Sequence, residues 1–228
     1  MKNLKVLFED NHIIVVEKPV NIPSQGDKTG DEDMLTIIKS YIKEKYNKPG
    51  EVYLGLVHRL DRPTGGVMVF AKTSKAASRL SEQVREKQIE KKYLCIVDGE
   101  LEKKKDTWKD FLLKNERTNT SRVVSKDTKN AKEAILDYEV IKYNEEINLS
   151  VVKVNLHTGR HHQIRLQFSS RNHSLYGDQK YGTRGRGKQL ALWAYSLSFI
   201  HPITKVRMDF EDFPEKVGSW KILDEVSY

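Results

Sequence analysis

The chain has 228 residues, of which 32% are charged and 38% hydrophobic, and its formal net charge at pH 7 is +8. No apolar run approaches the ~18 residues that span a bilayer, and the first ten residues contain no secretory hydrophobic region. The single cysteine, Cys95, excludes an internal disulfide and a thiolate metal cluster. Membrane-spanning, disulfide-scaffold and zinc-ribbon proteins are thereby excluded, and we expect a soluble, basic, cytoplasmic protein.

The pattern of apolar residues predicts two short strands, two helices and then a series of strands. VLFED and HIIVVEK, separated by Asp10-Asn11, predict a hairpin. DMLTIIKSYIKEKY has helical spacing after an acidic start, and a second helix is predicted from Ser74 as N-cap. The later strands are KYLCIVDGE, AILDYEVI, LSVVKVNL, LALWAYSLSFI and KVRMDF. Because strands mostly follow strands, we expect an α+β fold with a mixed, largely antiparallel central sheet flanked by helices.

Three segments are harder to assign. Residues 102–132 are polar and Lys-rich, with Trp108 and Phe111 as apolar anchors, and we expect a surface excursion within a single domain over residues 1–228. Residues 160–171 fit both a helix and a strand, since their apolar residues match both periods. GTRGRG at 182–187 follows no βαβ context, so it predicts a basic glycine-rich loop rather than a phosphate cradle.

The excess positive charge is confined to two parts of the chain. Residues 59–92 carry nine basic and four acidic side chains, and residues 153–188 carry eight basic side chains against Asp178 alone. Such patches are typical of proteins that bind polyanions, because neutralising phosphates releases counterions. A solubilising surface gives the same pattern. Histidines and tyrosines in the second segment add hydrogen-bonding and stacking groups, which favours nucleic acid as the partner.

A lone carboxylate among cations marks the first segment. In HRLDRPTGG, Asp61 lies within three residues of His58, Arg59 and Arg62, and nearby positive charge favours its ionised form. The following Pro-Thr-Gly-Gly is suited to a turn that holds the carboxylate in one orientation. An aspartate satisfied by backbone N–H groups in a turn is the structural alternative.

Two further motifs carry polar and aromatic groups. In KKY at 91–93, Tyr93 is either a stacking platform for a base or a core aromatic at the start of a strand. In HTGRHHQIR at 157–165, the HxxxH spacing suggests a metal pair, but Thr158-Gly159 interrupts any helix between the histidines, so we expect no metal. Arg165 is either a solvated arginine or a guanidinium paired with a carboxylate elsewhere.

Taken together, these blocks resemble the RluA-like RNA pseudouridine synthases. HRLDRPTGG is similar to that family's HRLD-x-x-T-S-G block, KKY to its K-x-Y strand, and TGRHHQIR to its TGR-x-HQIR block. YGDQKYG and LALWAYSLSFIHP resemble two later blocks, and EDNHIIVVEKPVNIPSQ resembles the opening strand pair. The blocks follow the family's order from about residue 8 to 210. Gly65 replaces the usual Ser, and Trp193 stands where His is common.

The resemblance implies a pseudouridine-synthase-like fold with an active-site cleft across its sheet, and no separate N-terminal S4-like domain. It implies conversion of uridine in ribosomal or transfer RNA to pseudouridine, without a metal or organic cofactor, by a protein that needs no partner other than RNA and works as a monomer. Asp61 would be the essential carboxylate, Arg165 would pair with it, and Tyr93 would stack on the base. Expected substrate-binding residues are His58, Arg59, Arg62, Thr64, Lys92, Arg160, His162 and Gln163.

Two other functions remain open from the sequence. One is an RNA-binding module that keeps the fold without catalysis, although such a module has no need of a carboxylate surrounded by arginines. The other is a metal-dependent nuclease built on Asp61, Asp178 and the histidines, for which sensitivity to chelators is the discriminating observation.

Overall fold

A computed structural model describes residues 4–182 and 187–225. Its chain forms two compact units: the first contains residues up to Glu90 together with Ala194–Phe213, and the second contains Lys91–Trp193 and the residues from Pro214 onward. None of the described helices is long and apolar enough to cross a membrane. The single domain over residues 1–228 stays a prediction.

The described residues form eleven strands, three α-helices and one 3-10 helix. In chain order they are β1 (Val6–Glu9), β2 (Ile13–Lys18), α1 (Met34–Lys45), β3 (Gly55–Leu56), β4 (Gly65–Ala71), α2 (Ser74–Arg85), β5 (Glu90–Asp98), β6 (Lys105–Asn115), β7 (Thr120–Val124), β8 (Lys132–Asn144), β9 (Leu149–Leu156), α3 (Gln163–Ser169), β10 (Leu192–Ile200), β11 (Arg207–Glu211) and the 3-10 helix (Gly218–Glu225).

The first unit contains the predicted hairpin and both predicted helices. β1 pairs antiparallel with β2, β2 with β4, and β11 with β10, while β3 adds to β4. The inward residues of these strands form one apolar core with α2: Ile13, Val15, Val67, Val69, Ala71, Ala76, Leu80, Ile89, Leu197 and Phe199. This core fixes β4, and therefore the loop that enters it, which carries Asp61.

Both helices begin at side-chain caps. Asp33 accepts a hydrogen bond from the backbone N–H of Thr36 and caps α1. Thr73 does the same for Ala76 at the start of α2, so the sequence prediction of Ser74 as the N-cap was wrong by one residue. A threonine directly before a serine leaves two suitable caps, and only the extended backbone at Thr73 selects between them.

The second unit is an antiparallel meander in the order β5-β9-β8-β6-β7. The segment 102–132 contributes β6 and β7 to it, so most of this polar stretch is ordered strand. Trp108, an apolar anchor of the segment, packs its ring 4.5 Å from Tyr138 and 4.7 Å from Phe168 of α3. The excursion is thereby attached to the helix that carries Arg165.

The ambiguous segment 160–171 forms the short helix α3, all but one of whose residues are buried. Its residues have both helical and alternating periodicity, and packing against β6 and β7 selects the helix. Residues 183–186 of the predicted glycine-rich loop lie outside the described residues. The predicted mixed, largely antiparallel sheet flanked by helices is confirmed.

Candidate active site

Asp61 lies in a loop of the first unit, and hydrogen bonds fix the backbone of this loop on both sides of Asp61. The backbone N–H of Leu60 donates to the Ser24 hydroxyl at 3.1 Å, and that hydroxyl donates back to the Leu60 carbonyl at 2.8 Å. On the other side, the Thr64 N–H donates to the Asp61 carbonyl at 2.9 Å. The backbone on both sides of the carboxylate is therefore fixed, while Asp61 itself stays partly exposed.

His58 attaches the same loop to β4. Its Nε2 accepts a hydrogen bond from the backbone N–H of Val69 at 3.1 Å, and the side chain is buried. An acceptor nitrogen at Nε2 places the ring proton on Nδ1. The structure thus gives His58 a role in anchoring the loop, in addition to the substrate contact expected from the sequence.

Lys18 is a buried cation beneath this loop that the sequence analysis missed. Its side chain is 0% exposed, and its Nζ donates to the carbonyls of Pro19, Ile22 and Arg62 at 2.9, 2.6 and 3.1 Å. Burial lowers the pKa of Lys18 to about 7, and the nearby Asp61 carboxylate opposes that shift. The ammonium therefore joins the end of β2 to the Asp61 loop. The sequence feature that could have identified Lys18 is its position at the end of the apolar run IIVVEK.

The two arginines that flank Asp61 have different environments. Arg62 is held by an acidic loop: its guanidinium pairs with Asp31, lies 3.6 Å from an Asp27 oxygen, and donates to Thr29 Oγ1 at 3.1 Å. Arg59 is exposed and makes no hydrogen bond or ion pair with any residue in 4–182 or 187–225. Arg59 is therefore the more available of the two for a ligand.

The turn after Asp61 is tightly packed. Gly66 has φ +122°, and a Cβ there would lie 2.2 Å from the Ala194 carbonyl oxygen, so this position requires glycine. The Thr64 hydroxyl is buried and has no hydrogen-bond partner among the residues that the structure describes. The packing places Thr64 behind the loop rather than on its surface.

Arg165 is one half of a buried ion pair in the second unit. Its Nε and Nη2 donate to the two carboxylate oxygens of Asp178, both at 2.7 Å. Burial acts to raise the pKa of Asp178, but the hydrogen bonds and charge of Arg165 hold it below its usual value. The guanidinium also lies 5.3 Å from the centre of the Tyr181 ring. The predicted pairing of Arg165 with Asp61 involves residues of both units and stays a prediction.

Two stacked histidines precede Arg165. The rings of His161 and His162 are 3.6 Å apart, and their Nδ1 atoms lie 2.9 Å from Ser121 Oγ and 2.8 Å from the Tyr181 hydroxyl, respectively. Burial, with the charge of Arg165 as the next cause, lowers the pKa of His162 to about 2. His162 is therefore neutral at pH 7. Ser121 belongs to β7, so the hairpin in residues 102–132 contacts the motif directly.

Gln163 holds the turn that leads into α3. Its Oε1 accepts from Thr158 Oγ1 at 2.8 Å and from the Arg160 N–H at 3.0 Å, while its Nε2 donates to the Ile135 carbonyl at 3.1 Å. The side chain is 3% exposed. Arg160 also donates through Nε to the Glu133 carbonyl at 2.7 Å. These contacts give Gln163 a positioning role, while its expected substrate contact stays a prediction, and they leave the rest of the Arg160 guanidinium for a ligand.

The KKY motif lies at the start of β5. Tyr93 is buried and pairs in register with Val154 of β9. Side chains alternate along a strand, so Lys91 shares the face of Tyr93 and Lys92 has the opposite face. The aromatic ring is thus held by the sheet, with a lysine two residues before it on the same side.

No group of three or more histidine, cysteine or acidic side chains in the described part of the chain is placed to hold a metal. His157 pairs with Asp137 at 2.6 Å, and His161 with Ser121. α3 begins only at Gln163, so the HxxxH pair does not lie on one helix.

A family model described as RNA pseudouridylate synthase matches residues 12–170, which include Asp61, Tyr93 and Arg165. The chain belongs to this family. Three relatives extend the match over most of the chain. An uncharacterized RNA pseudouridine synthase of Aquifex aeolicus is 36% identical over 95% of this chain and 72% of its own. A tRNA pseudouridine synthase C of Haemophilus influenzae is 31% identical over 89% of each chain. A ribosomal large subunit pseudouridine synthase D of Zymomonas mobilis is 32% identical over 91% of this chain and 68% of its own.

Solved structures agree on the fold of this RNA pseudouridine synthase. Human RNA pseudouridylate synthase domain containing 4 superposes with a TM-score of 0.77 at 22% identity, over 92% of this chain and 89% of that one. Human RNA pseudouridylate synthase domain containing 1 gives a TM-score of 0.75 at 21% identity, over 96% and 86%. The expected pseudouridine-synthase-like fold is therefore confirmed.

Proposed function

We propose that this pseudouridine synthase acts on specific uridines of structured ribosomal or transfer RNA, with Asp61, Tyr93 and Arg165 as its catalytic residues. The reaction breaks the N1–C1′ bond of the nucleotide, turns the uracil and joins its C5 to C1′. The observation that carries the proposal is the fixed presentation of one carboxylate: Asp61 is partly exposed in a loop held by Ser24 and Lys18.

One carboxylate suffices for the chemistry proposed here. As the N1–C1′ bond breaks, positive charge develops at C1′, and a carboxylate beside it stabilises that charge, attacks the carbon or removes a neighbouring proton. Ordinary glycoside hydrolysis instead uses two carboxylates, one on each side of the bond. The other buried acid considered from the sequence, Asp178, is fully engaged by Arg165, which supports Asp61 as the reacting group.

Tyr93 and Arg165 complete the proposed site. The Tyr93 ring offers a face on which the uracil stacks. A phenol hydroxyl is a poor proton acceptor near neutral pH, so stacking is the role that we assign first. The Arg165 guanidinium, oriented by Asp178, is available to keep the catalytic carboxylate ionised through the pairing expected from the sequence.

The target nucleotide has to leave its stack or lie in a loop, because a base within a helix is out of reach. Arg59, exposed beside Asp61, is suited to occupy the space that the nucleotide leaves. The cationic residues of segments 59–92 and 153–188 supply phosphate contacts around it.

Ribosomal and transfer RNA are both proposed as substrates, since similar proteins are named for each. A cytoplasmic monomer that binds RNA alone is part of the same proposal. The RNA part of this proposal is supported by the substrates named for the relatives.

Release of tritium tests the proposal. Ribosomal and transfer RNA transcripts labelled with tritium at C5 of uridine lose the label on isomerisation, whereas binding or strand cleavage does not remove it. We expect release by the wild type and none by Asp61→Asn, with RNA affinity changed less than threefold because phosphate contacts dominate binding. RNA binding without tritium release by the wild type from either class of transcript overturns the enzymatic proposal.

A further inference from the structure

Lys91 differs from the other lysines near the motif because its amine is partly buried and has no partner among the residues that the structure describes. The side chain is partly buried in β5, and burial lowers its pKa. Its amine makes no hydrogen bond or ion pair with any residue within the described ranges. A lysine in such a position loses hydration without gaining a counter-charge. Its burial therefore costs free energy in the protein without a ligand.

The space around this amine is kept open by a glycine. A Cβ built on Gly159 would lie 3.9 Å from Lys91 Nζ, so the amine lies against the backbone of the 158–162 turn. A larger side chain at 159 would fill the approach to the nitrogen. The turn itself is fixed through Thr158 and Gln163, so the opening does not depend on a mobile segment.

The charges near this turn favour an anion. Lys114, Lys180 and Arg165 all lie near enough to His161 to lower its pKa, after burial as the larger cause. Arg165 is neutralised by Asp178, whereas Lys114 pairs with the exposed Glu116 and Lys180 donates to the carbonyl of Asn119. Lys91 adds a further cation beside the turn, and no acidic side chain within residues 4–182 or 187–225 pairs with it.

Lys91 also lies at a suitable distance from Tyr93. Two residues along a strand are separated by about 6.6 Å on the same face. A single nucleotide can therefore place its base on the aromatic ring and a phosphate near the amine. Lys92, one of the substrate-binding residues expected from the sequence, lies on the opposite face of β5.

We propose that the Lys91 ammonium binds the phosphate adjacent to the uridine that stacks on Tyr93, and that Gly159 keeps room for that phosphate. The inference rests on the proposed function and adds a binding residue to it. Phosphate supplies the charge-assisted hydrogen bonds that the amine lacks in the free protein. The contact is made with a non-reacting part of the substrate, so it contributes to binding in the ground and transition states alike.

Lys91→Gln tests the assignment with the same labelled transcripts. We expect KM to rise about tenfold and kcat to stay within twofold, since uniform binding is lost. The slope of log affinity against log salt concentration should become shallower by about 0.7, the value for one single-strand phosphate contact. Lys91→Arg, which keeps the charge, should restore the salt slope. Unchanged thermal unfolding of both variants verifies that they fold.

Two comparison variants make the result specific. Lys105→Gln removes the same charge from an exposed lysine of the second unit that pairs with Glu139, and should leave KM within twofold. Gly159→Val should raise KM when Lys91 is present but have little further effect in Lys91→Gln.

An effect of Lys92→Gln on KM larger than that of Lys91→Gln overturns the assignment. A fall in kcat for Lys91→Gln with an unchanged salt slope also overturns the assignment, because it would indicate that Lys91 takes part in proton transfer rather than in phosphate binding. These outcomes presuppose tritium release by the wild type; its absence rejects the proposed function instead.

Discussion

Arg165 and Asp178 form a buried, two-pronged ion pair in which both nitrogen-to-oxygen distances are 2.7 Å. Asp178 also accepts hydrogen bonds from the backbone N–H groups of Lys180 and Tyr181. The carboxylate thus connects α3 to the turn that follows residue 177, and the direction of the guanidinium is set by a residue thirteen positions away.

Replacing Asp178 should lower the stability of the protein. Asp178→Asn leaves the Arg165 charge buried without its counter-charge, and we expect a loss of about 3 kcal/mol in the free energy of unfolding. Denaturant unfolding measures this, and a double-mutant cycle with Arg165→Met isolates the pair. If each single substitution costs less than about 0.5 kcal/mol and the cycle shows no coupling, the pair does not hold α3.

Lys18 should matter for the position of Asp61. Lys18→Met removes three hydrogen bonds of the ammonium, of which the one to the Arg62 carbonyl joins β2 to the Asp61 loop. A buried acceptor that loses its donor costs about 1–3 kcal/mol. We expect lower stability and a fall in kcat of at least tenfold, because a shifted carboxylate loses its alignment. The matched control is Lys43→Met, an exposed lysine of α1, which should change neither value. Equal kcat for Lys18→Met and the wild type would contradict the positioning role.

Gly66→Ala should be strongly destabilising. The added methyl would lie 2.2 Å from the Ala194 carbonyl oxygen on a backbone with positive φ, and neither group can move without disrupting β4. We expect a loss of more than 2 kcal/mol, measured by thermal or denaturant unfolding. Gly50→Ala is the control, since a Cβ there meets nothing within 4 Å, and its stability should stay within 0.5 kcal/mol of the wild type.

The lowered pKa of His162 predicts that the protein loses stability in weak acid. The pKa of His162 is about 2 in the folded state, against an ordinary value of about 6.5, so the unfolded chain binds the extra proton below pH 6.5. Stability is therefore complete above pH 6.5 and falls as the pH drops, with a slope of up to about 1.4 kcal/mol per pH unit for this group. His162→Asn removes the titrating group and tolerates the left-handed backbone (φ 54°). Urea unfolding between pH 6.5 and 5 should show a shallower pH dependence for His162→Asn, and equal slopes would refute the assignment.

Several properties could be read from the sequence because they depend on local order. The hairpin of β1 and β2 and the helices α1 and α2 follow from apolar periodicity and capping residues, and the structure shifts one cap by a single position. The residues of the HRLD and TGR blocks identified the family, which the family model confirms. Periodicity alone left residues 160–171 open, because a short apolar segment fits both periods until its neighbours are known.

The roles of individual polar residues needed the tertiary structure. Gln163 and His58 were expected to contact substrate, and the structure adds a structural contact for each: Gln163 Nε2 donates to the Ile135 carbonyl, and His58 Nε2 accepts from the Val69 N–H. Lys18 was missed because burial of a charge depends on segments that are distant in sequence, here on the carbonyl of Arg62. Ser121 lies in a segment that looked like a surface excursion, and only the pairing of β6 and β7 brings it to His161.

The charge of +8 and its two basic segments were determined by the sequence alone, as was the placement of Asp61 among cations. Composition and motif order do not depend on how the chain folds, so they were sufficient for the family and for a polyanionic partner. Which cation remains available to a ligand was decided by the tertiary structure. Arg165 is neutralised by Asp178, and Lys18 is enclosed by carbonyls, whereas Lys91, beside Gly159, has no hydrogen-bond or ion-pair partner in the part of the chain that the structure describes. Hydrogen bonding and burial set that difference, and both arise from residues far apart in the sequence.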